Sequence, residues 1–123
     1  MTHRVVVVDD SEDVRVLVSL AFARDGRLQV LAAVGDGQQG VEAVREHRPD
    51  VVVMDVSMPV MDGLAATRAI KGELPDVRVL VLTGYGDERV AAQATDAGAD
   101  AFLDKSEPLD VMIGAVVGLA ERP

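Results

Sequence analysis

The chain has 123 residues, no cysteine, and 21 acidic against 12 basic side chains, which gives a net charge of −9 at pH 7. This length suits one compact domain over residues 1–123, because domains cluster at about 100–150 residues. Without cysteine, a disulfide framework and catalysis by a thiolate are excluded. The acidic balance predicts no direct binding to nucleic acid, because such affinity comes from Lys and Arg that neutralise phosphates. Proteins and cations are the expected partners.

The N-terminus and the length of the apolar runs predict where the protein is located. The first residues, MTHRVVVVDDSED, reach acidic side chains after four apolar ones, which is too short for the apolar region of a signal peptide. No apolar run approaches the roughly 20 residues that span a bilayer. The sequence therefore predicts a cytoplasmic protein without membrane association.

Apolar segments and helical patterns alternate along the whole chain. Four segments rich in Val and Leu, with a weaker fifth, predict buried strands at residues 5–8, 28–34, 51–54, 77–82 and 101–103. Continuous apolar runs of this length are typical of a parallel sheet that is covered on both faces. The segments between them predict helices at residues 12–24, 37–46, 64–72, 88–97 and 109–121. Strands that alternate with helices through short loops define an α/β fold.

Polar residues suited to one chemistry stand just beyond the predicted strands. Those that follow the first, third, fourth and fifth strands are, in order, Asp9 with Asp10, Asp55, Thr83 and Lys105. The carboxyl ends of parallel strands meet at one edge, where such sheets bind ligands. Three carboxylates placed together repel one another unless a cation lies among them, so the pattern predicts a hard cation such as Mg²⁺. An amine and a hydroxyl beside that ion suit the oxygens of phosphate.

Each of these residues also has a purely structural interpretation. Asp10 can cap the helix that follows it. Asp55 and Thr83 can begin turns, and Lys105 can be a solvated loop charge. For each residue considered alone, the structural interpretation explains the sequence at least as well as a role in a binding site does. Because four separate strand ends carry residues suited to the same chemistry, the combination favours a binding site.

The order and spacing of four motifs resemble a known family. The motifs are DD after the first strand, MDVSMPVMDG at the third, LTG at the fourth and FLDK at the fifth. Over essentially the whole chain they resemble the receiver domain of response regulators, the CheY-like family of two-component signalling. The resemblance implies a flavodoxin-like (βα)5 doubly wound fold with parallel strands in the order 2-1-3-4-5. It also implies a phosphoacceptor that is not an enzyme, although it assists its own phosphorylation and autodephosphorylation.

The resemblance also implies which residues accept the phosphoryl group and hold the metal. Asp55 would take the phosphoryl group from a sensor histidine kinase or a phosphotransfer protein. Mg²⁺, for which Mn²⁺ can substitute, would bind Asp10, Asp55 and the backbone carbonyl of Ser57. Asp9 would support this site.

The resemblance assigns further residues to binding the phosphoryl group and to the conformational switch. The residues that would contact phosphoryl oxygens are Thr83, Gly84 and Lys105. Phe102 matches the aromatic switch position of the family. Ser57 and Tyr85 would flank the path of an attacking water, so they are candidates for setting the dephosphorylation rate.

Two features depart from the family pattern. Ser106 follows Lys105 at a position where the family often has a proline after a cis peptide bond. Without proline a cis bond costs roughly 3–4 kcal/mol, so a cis bond is doubtful here and a freer loop is expected.

The predicted last helix carries no charged residue between residues 111 and 120, although a helix face exposed to solvent normally carries charges. In this family the surface around the fourth helix, fifth strand and fifth helix commonly serves output or dimerisation. A homodimer contact, or an output domain or partner, is therefore expected in the region of the last helix.

Other functions fit the sequence less well. A phosphohydrolase with an aspartyl nucleophile typically needs a second aspartate two residues later, where this chain has Ser57. A flavodoxin-type cofactor site would need amides and hydroxyls after the first strand, whereas DDSED is acidic. A receiver that acts without phosphorylation is disfavoured because the acidic, hydroxyl and lysine positions are intact. The output stays open: the chain is a stand-alone receiver or, since DAGADAFLDKS resembles LuxR-type receivers, an N-terminal fragment of a DNA-binding regulator.

Overall fold

The computed structural model describes residues 2–56, 62–84 and 88–123. Within these ranges five strands alternate with five helices, and their bounds are β1 His3–Val8, α1 Glu12–Arg24, β2 Leu28–Val34, α2 Gly37–His47, β3 Val51–Asp55, α3 Gly63–Glu73, β4 Arg78–Thr83, α4 Glu88–Asp96, β5 Ala101–Asp104 and α5 Leu109–Ala120. The predicted order of elements is confirmed, and the largest difference in bounds is at β1, which begins at His3 instead of residue 5. None of the helices in the described part of the chain has the length and apolarity needed to cross a membrane.

All the strands are parallel and lie in the order β2-β1-β3-β4-β5, so the flavodoxin-like topology is confirmed. β1, β3 and β4 form the centre of the sheet, and most of their residues are buried. The direction of winding reverses between β1 and β3. The carboxyl ends of these two strands therefore border the crevice in which such sheets bind ligands.

Side chains of the central strands alternate between two apolar layers. The layer that packs against α1 and α5 contains, from the sheet, Val5, Val7, Val51, Val53, Leu80 and Leu82. The layer on the side of α2, α3 and α4 contains Val6, Val8, Val52, Met54, Val79 and Val81. Because both faces are covered, successive residues of a strand are all apolar, which explains the uninterrupted runs in the sequence.

Polar residues and one glycine determine where several helices begin and end. Ser11 caps α1 and accepts a hydrogen bond from the Val14 amide at 3.3 Å. Asp36 and Asp62 cap α2 and α3 in the same way. After α4, Gly98 adopts a φ of 100°, a left-handed conformation that favours glycine and ends the helix.

A partly buried ion pair lies at the opposite, amino-terminal edge of the sheet. Lys71 Nζ at the end of α3 donates to Asp100 Oδ2 at 3.0 Å and to the carbonyls of Pro75 and Val77 at 2.9 and 3.0 Å. Asp100 Oδ2 also accepts the Val79 amide at 2.8 Å. Because both side chains are at most 16% exposed, the pair joins α3, β4 and the start of β5 largely out of contact with water.

We expect Lys71→Met to destabilise the fold. The substitution leaves the largely covered Asp100 carboxylate without its nearest charged partner, which costs up to about 3 kcal/mol of unfolding free energy; Arg78, 3.8 Å away, limits the loss. Urea unfolding followed by circular dichroism measures the difference.

The matched control is Arg45→Gln, which breaks a solvent-exposed pair with Glu73. Exposed pairs contribute little to stability, so this variant should unfold like the unsubstituted protein. If Lys71→Met were as stable as Arg45→Gln, the pair of Lys71 with Asp100 would have no stabilising role.

Candidate functional site

Three carboxylates meet beyond the carboxyl ends of β1 and β3. Asp9 and Asp10 follow β1, and Asp55 is the last residue of β3. The two strands are parallel neighbours, with Val8 paired to Met54, so their ends lie side by side. One oxygen from each carboxylate lies within 4.8 Å of the others. The structure thus brings the acidic residues of the sequence prediction together.

Hydrogen bonds fix the main chain and one carboxylate oxygen of Asp9. Its amide donates to the Val34 carbonyl at 3.0 Å, and its Oδ1 accepts the Ser11 amide at 2.9 Å. Arg15 Nη1 on α1 donates to the Asp9 carbonyl at 2.8 Å, a contact that the sequence patterns do not reveal. Asp9 Oδ2 is buried and accepts no hydrogen bond from the described residues. A buried carboxylate oxygen in that situation is costly unless a cation lies against it, so Asp9 Oδ2 suits a metal ligand.

The Lys105 ammonium group contacts the Asp55 carboxylate directly. Nζ lies 2.7 Å from Asp55 Oδ1, and the Asp55 side chain is only 1% exposed. Partial burial works to lower the pKa of Lys105, but the hydrogen bond to Asp55 and the charge of that carboxylate outweigh it. The charges of Asp9 and Asp10 add to this effect, so the pKa lies above its ordinary value. The amine therefore stays charged at neutral pH and offsets part of the acidic charge.

Thr83 and Phe102 stand on the neighbouring strands β4 and β5. Thr83 ends β4 and is buried, and its Oγ1 donates to the Leu103 carbonyl at 3.3 Å. Gly84 follows it and is exposed. Phe102 is 48% exposed beside a surface pocket of about 340 Å³ whose lining includes Thr83 and Ala91. The threonine and the aromatic ring therefore border the same open space.

Two of the predicted residues, Ser57 and Tyr85, lie outside the described residues. The segment after Lys105 is described, and no peptide bond in the described ranges is cis. Ser106 donates from its amide and from its Oγ to Asp104 Oδ1, at 2.8 and 2.7 Å. These hydrogen bonds constrain the loop that lacks the proline often found in the family.

Gly63, whose role the sequence patterns do not reveal, lies against the backbone of Asp55. It is the first residue of α3, and its amide donates to the Val56 carbonyl at 2.9 Å. A Cβ at this position would overlap the Asp55 carbonyl oxygen and lie 2.8 Å from the Val56 Cα. Thr67 Oγ1 donates to the Gly63 carbonyl at 2.7 Å and holds this end of the helix. The only sequence signal is a glycine just before a predicted helix, which a turn explains equally well.

A doubly wound parallel sheet with clustered carboxylates and a lysine at its carboxyl edge defines a class of α/β domains that bind cations and phosphate groups. Within this class, the family model of the response regulator receiver domain matches residues 5–117. The chain belongs to this receiver family of two-component signalling, whose members are generally not classed as enzymes.

Individual relatives agree with this assignment. Chemotaxis protein CheY of Bacillus subtilis (strain 168) is 34% identical over 116 residues, which cover 94% of this chain and 96% of that protein. Transcriptional regulatory protein LnrK of the same strain is 37% identical over 115 residues, which cover 93% of this chain and 52% of that protein. The chain thus spans about half the length of LnrK. Among solved structures, the signal receiver domain of the response regulator NarL from Mycobacterium tuberculosis has a TM-score of 0.94 at 31% identity and covers 99% of this chain and 98% of that one.

The acidic triad is typical of the Mg²⁺ site of receivers. Its donor atoms are carboxylate oxygens, which hard divalent cations prefer over soft metals. The buried Asp9 Oδ2, which accepts no hydrogen bond from the described residues, adds to this fit. The residues present therefore suit the ion that the family implies.

We expect Gly63→Ala to weaken Mg²⁺ binding by about tenfold, because the added Cβ must displace the backbone of Asp55 and supporting contacts tune metal affinity to this extent. Isothermal titration calorimetry of the folded variant measures the affinity. An unchanged affinity would show that the site tolerates this displacement.

The control, Gly72→Ala, lies in the same helix, and a Cβ there would have no heavy atom within 4 Å. It should keep the Mg²⁺ affinity and raise the free energy of unfolding by about 0.5 kcal/mol, because alanine favours helix more than glycine does. A loss of affinity in both variants would indicate a general effect on the helix rather than the contact at Asp55.

Proposed function

We propose that this domain, over residues 1–123, accepts a phosphoryl group on Asp55 and transmits the change to the surface formed by α4, β5 and α5. The donor is the phosphohistidine of a sensor histidine kinase or of a phosphotransfer protein, the partner class that the family implies. The observation that carries this proposal is the Lys105 ammonium group 2.7 Å from the buried Asp55 carboxylate, beside the carboxylates of Asp9 and Asp10. A cation on one side and a metal site on the other suit an anionic phosphoryl group.

Transfer requires a carboxylate to approach a phosphoryl group that carries the same sign of charge. An Asp55 oxygen attacks phosphorus while the bond from phosphorus to the histidine nitrogen breaks, and that nitrogen keeps the bonding electron pair. Lys105 offsets charge on the phosphoryl oxygens, and Mg²⁺ (or Mn²⁺) supplies further neutralisation when bound. The ligands proposed for this ion are Asp9, Asp10, Asp55 and the Ser57 carbonyl.

The product is an acyl phosphate, whose phosphoryl group carries about −1.5 to −2 charge in place of the single charge of the Asp55 carboxylate. Thr83 Oγ1, which donates to the Leu103 carbonyl, then donates to a phosphoryl oxygen, and the Gly84 amide donates to another. The Lys105 ammonium group leaves the Asp55 carboxylate and contacts a third phosphoryl oxygen. As Thr83 moves inward, the Phe102 ring rotates into the pocket that both residues line. A local change of charge thereby biases a two-state element, which is what a switch requires.

An exposed apolar stripe beside the acidic site suits the docking of the donor. Val16, Leu17 and Leu20 on α1 are 53%, 55% and 60% exposed. Their helix begins directly after Asp10 and Ser11, so a protein that covers the stripe also approaches the carboxyl edge. Covering the exposed half of such a side chain contributes about 1 kcal/mol. We therefore assign the stripe to the phosphodonor.

The main alternative class is a phosphohydrolase, which would turn over the acyl phosphate. Enzymes with an aspartyl nucleophile use a second aspartate two residues later, and Ser57 stands there. The domain is therefore proposed to be consumed stoichiometrically. Ser57 and Tyr85 are proposed to set the rate of autodephosphorylation.

The form of the output is proposed from the relatives. CheY is matched over nearly its whole length and LnrK over about half. A LuxR-family regulator is also among the similar solved structures. We propose a cytoplasmic receiver that signals by protein contact, and the second candidate is the N-terminal receiver of a LuxR-type DNA-binding regulator.

We expect incubation with acetyl phosphate and Mg²⁺ to add one phosphoryl group to the protein and none to Asp55→Asn, because the amide is not a nucleophile for this reaction. Intact-mass analysis detects the adduct. Asp76→Asn, which removes an exposed carboxylate at the opposite edge, is the control and should be phosphorylated normally. No adduct on the unsubstituted protein, or an equal adduct on Asp55→Asn, would refute the proposed function.

A further inference from the structure

A half-exposed aromatic ring marks the edge of the sheet formed by β5. The chain has two phenylalanines; Phe22 is fully buried, whereas Phe102 is 48% exposed. Phe102 borders the pocket of about 340 Å³ between α4 and β5. We define the β5 edge face as Phe102 together with its neighbours around this pocket, Glu88, Ala91, Asp104 and Glu107. An exposed aromatic ring beside a pocket is typical of a protein-binding surface.

Every charged residue of the β5 edge face is acidic. In the sequence, Lys105 is the only basic residue between Arg89 and Arg122. The Lys105 ammonium group is turned inward, 2.7 Å from Asp55 Oδ1. Arg89 is not among the described residues that line the pocket. The apolar centre of this face is therefore surrounded by charges of one sign.

The neighbouring helix α5 adds no basic side chain to this region. Its exposed residues are Asp110, Val111, Gly114 and Gly118. Leu109 lines a groove against α1, and Val111 lies about 200° further round the helix, on the side away from α1. The outward side of α5 is thus small, apolar or acidic.

We propose that the β5 edge face binds a segment of another protein in which basic side chains surround an apolar anchor. The anchor fills the pocket beside Phe102, and Lys or Arg side chains of the partner lie against Glu88, Asp104 and Glu107. Opposite charges around an apolar centre give such an interface its orientation and its choice of partner. This inference rests on the proposed function in that it names the partner of part of the α4, β5 and α5 surface. The contact is regulated because phosphorylation of Asp55 would move the Phe102 ring into the same pocket.

A second copy of this chain fits the β5 edge face poorly. A two-fold interface places the same surface patch on both sides. Glu88 and Glu107 would then face the acidic residues of the other copy, with no basic side chain in this face to pair with them. Like charges brought together in this way disfavour association. Nucleic acid is excluded by the same sign of charge.

The test uses a synthetic peptide of about 15 residues with Leu along one helical face and Lys on the other. The peptide is titrated into the full chain labelled with ¹⁵N, and amide shifts locate the contact. We expect the shifts to centre on the β5 edge face. Phe102→Ala and Glu107→Lys should each weaken binding by about tenfold, because one removes the apolar centre and the other reverses a rim charge.

The matched control for charge is Glu46→Lys, which makes the same change of net charge at an exposed position on α2. It should weaken binding by less than about twofold, because distant surface charges are screened. An equal loss in Glu46→Lys and Glu107→Lys, or shifts centred elsewhere, would overturn the proposal. So would a dimer, seen by sedimentation, that Phe102→Ala abolishes.

The binding test and the phosphorylation test can fail separately. Peptide binding is measured first without a phosphoryl donor, so a bound peptide supports the proposed face even if Asp55 takes no phosphoryl group. Phosphorylation of Asp55 without any peptide binding would overturn the proposed face and leave the proposed function standing. Where both succeed, acetyl phosphate should change the affinity for the peptide, whereas Asp55→Asn should bind it equally with and without acetyl phosphate.

Discussion

The contact between Lys105 and Asp55 is what allows three carboxylates to share the carboxyl edge of the sheet. Like charges within 4.8 Å repel one another, and the backbone beneath cannot yield, because β1 and β3 are paired and buried between two apolar layers. The charge must therefore be balanced in place, by the lysine on one side and by a cation on the other. Because the sheet is rigid, the carboxyl edge depends on counter-charge. Any anion that binds Lys105 removes part of the charge that balances Asp55.

The opposite edge carries a charge arrangement of the reverse kind. Lys71 pairs with Asp100, Arg78 lies 3.8 Å from the same carboxylate, and the remaining hydrogen bonds of Lys71 and Asp100 go to backbone groups of β4 and its approach. The Asp100 carboxylate therefore needs no added ion. The length of β4, Arg78–Thr83, separates the pair from the acidic site. Stability and response are thus assigned to different ends of the same strands, so the functional edge can change its charge while the other edge holds the strands together.

Much of the fold and the acidic site could be predicted from the sequence for one physical reason. Strands covered on both faces are apolar throughout, so the first polar residue after each run marks both the end of the strand and the functional edge. Contacts between residues of separate elements produce no local pattern in the sequence, so they could not be predicted. Arg15 contacts the backbone carbonyl of Asp9, which no side-chain pattern encodes. Lys71 and Asp100 lie 29 residues apart, and each is unremarkable within its own segment.

The contact between Gly63 and the Asp55 backbone has a mechanical consequence. Because the close approach is between backbone atoms, no side-chain rotation can relieve it, so a shift of the Asp55 backbone toward α3 pushes on the helix. On the other side stand the rotatable side chains of Thr83 at the end of β4 and of Lys105 after β5, and Lys105 contacts Asp55 directly. Strain introduced at Asp55 is therefore resisted toward α3 and relieved toward β4 and β5. Gly63 therefore limits movement of Asp55 toward α3 and directs it toward the edge of the sheet formed by β4 and β5.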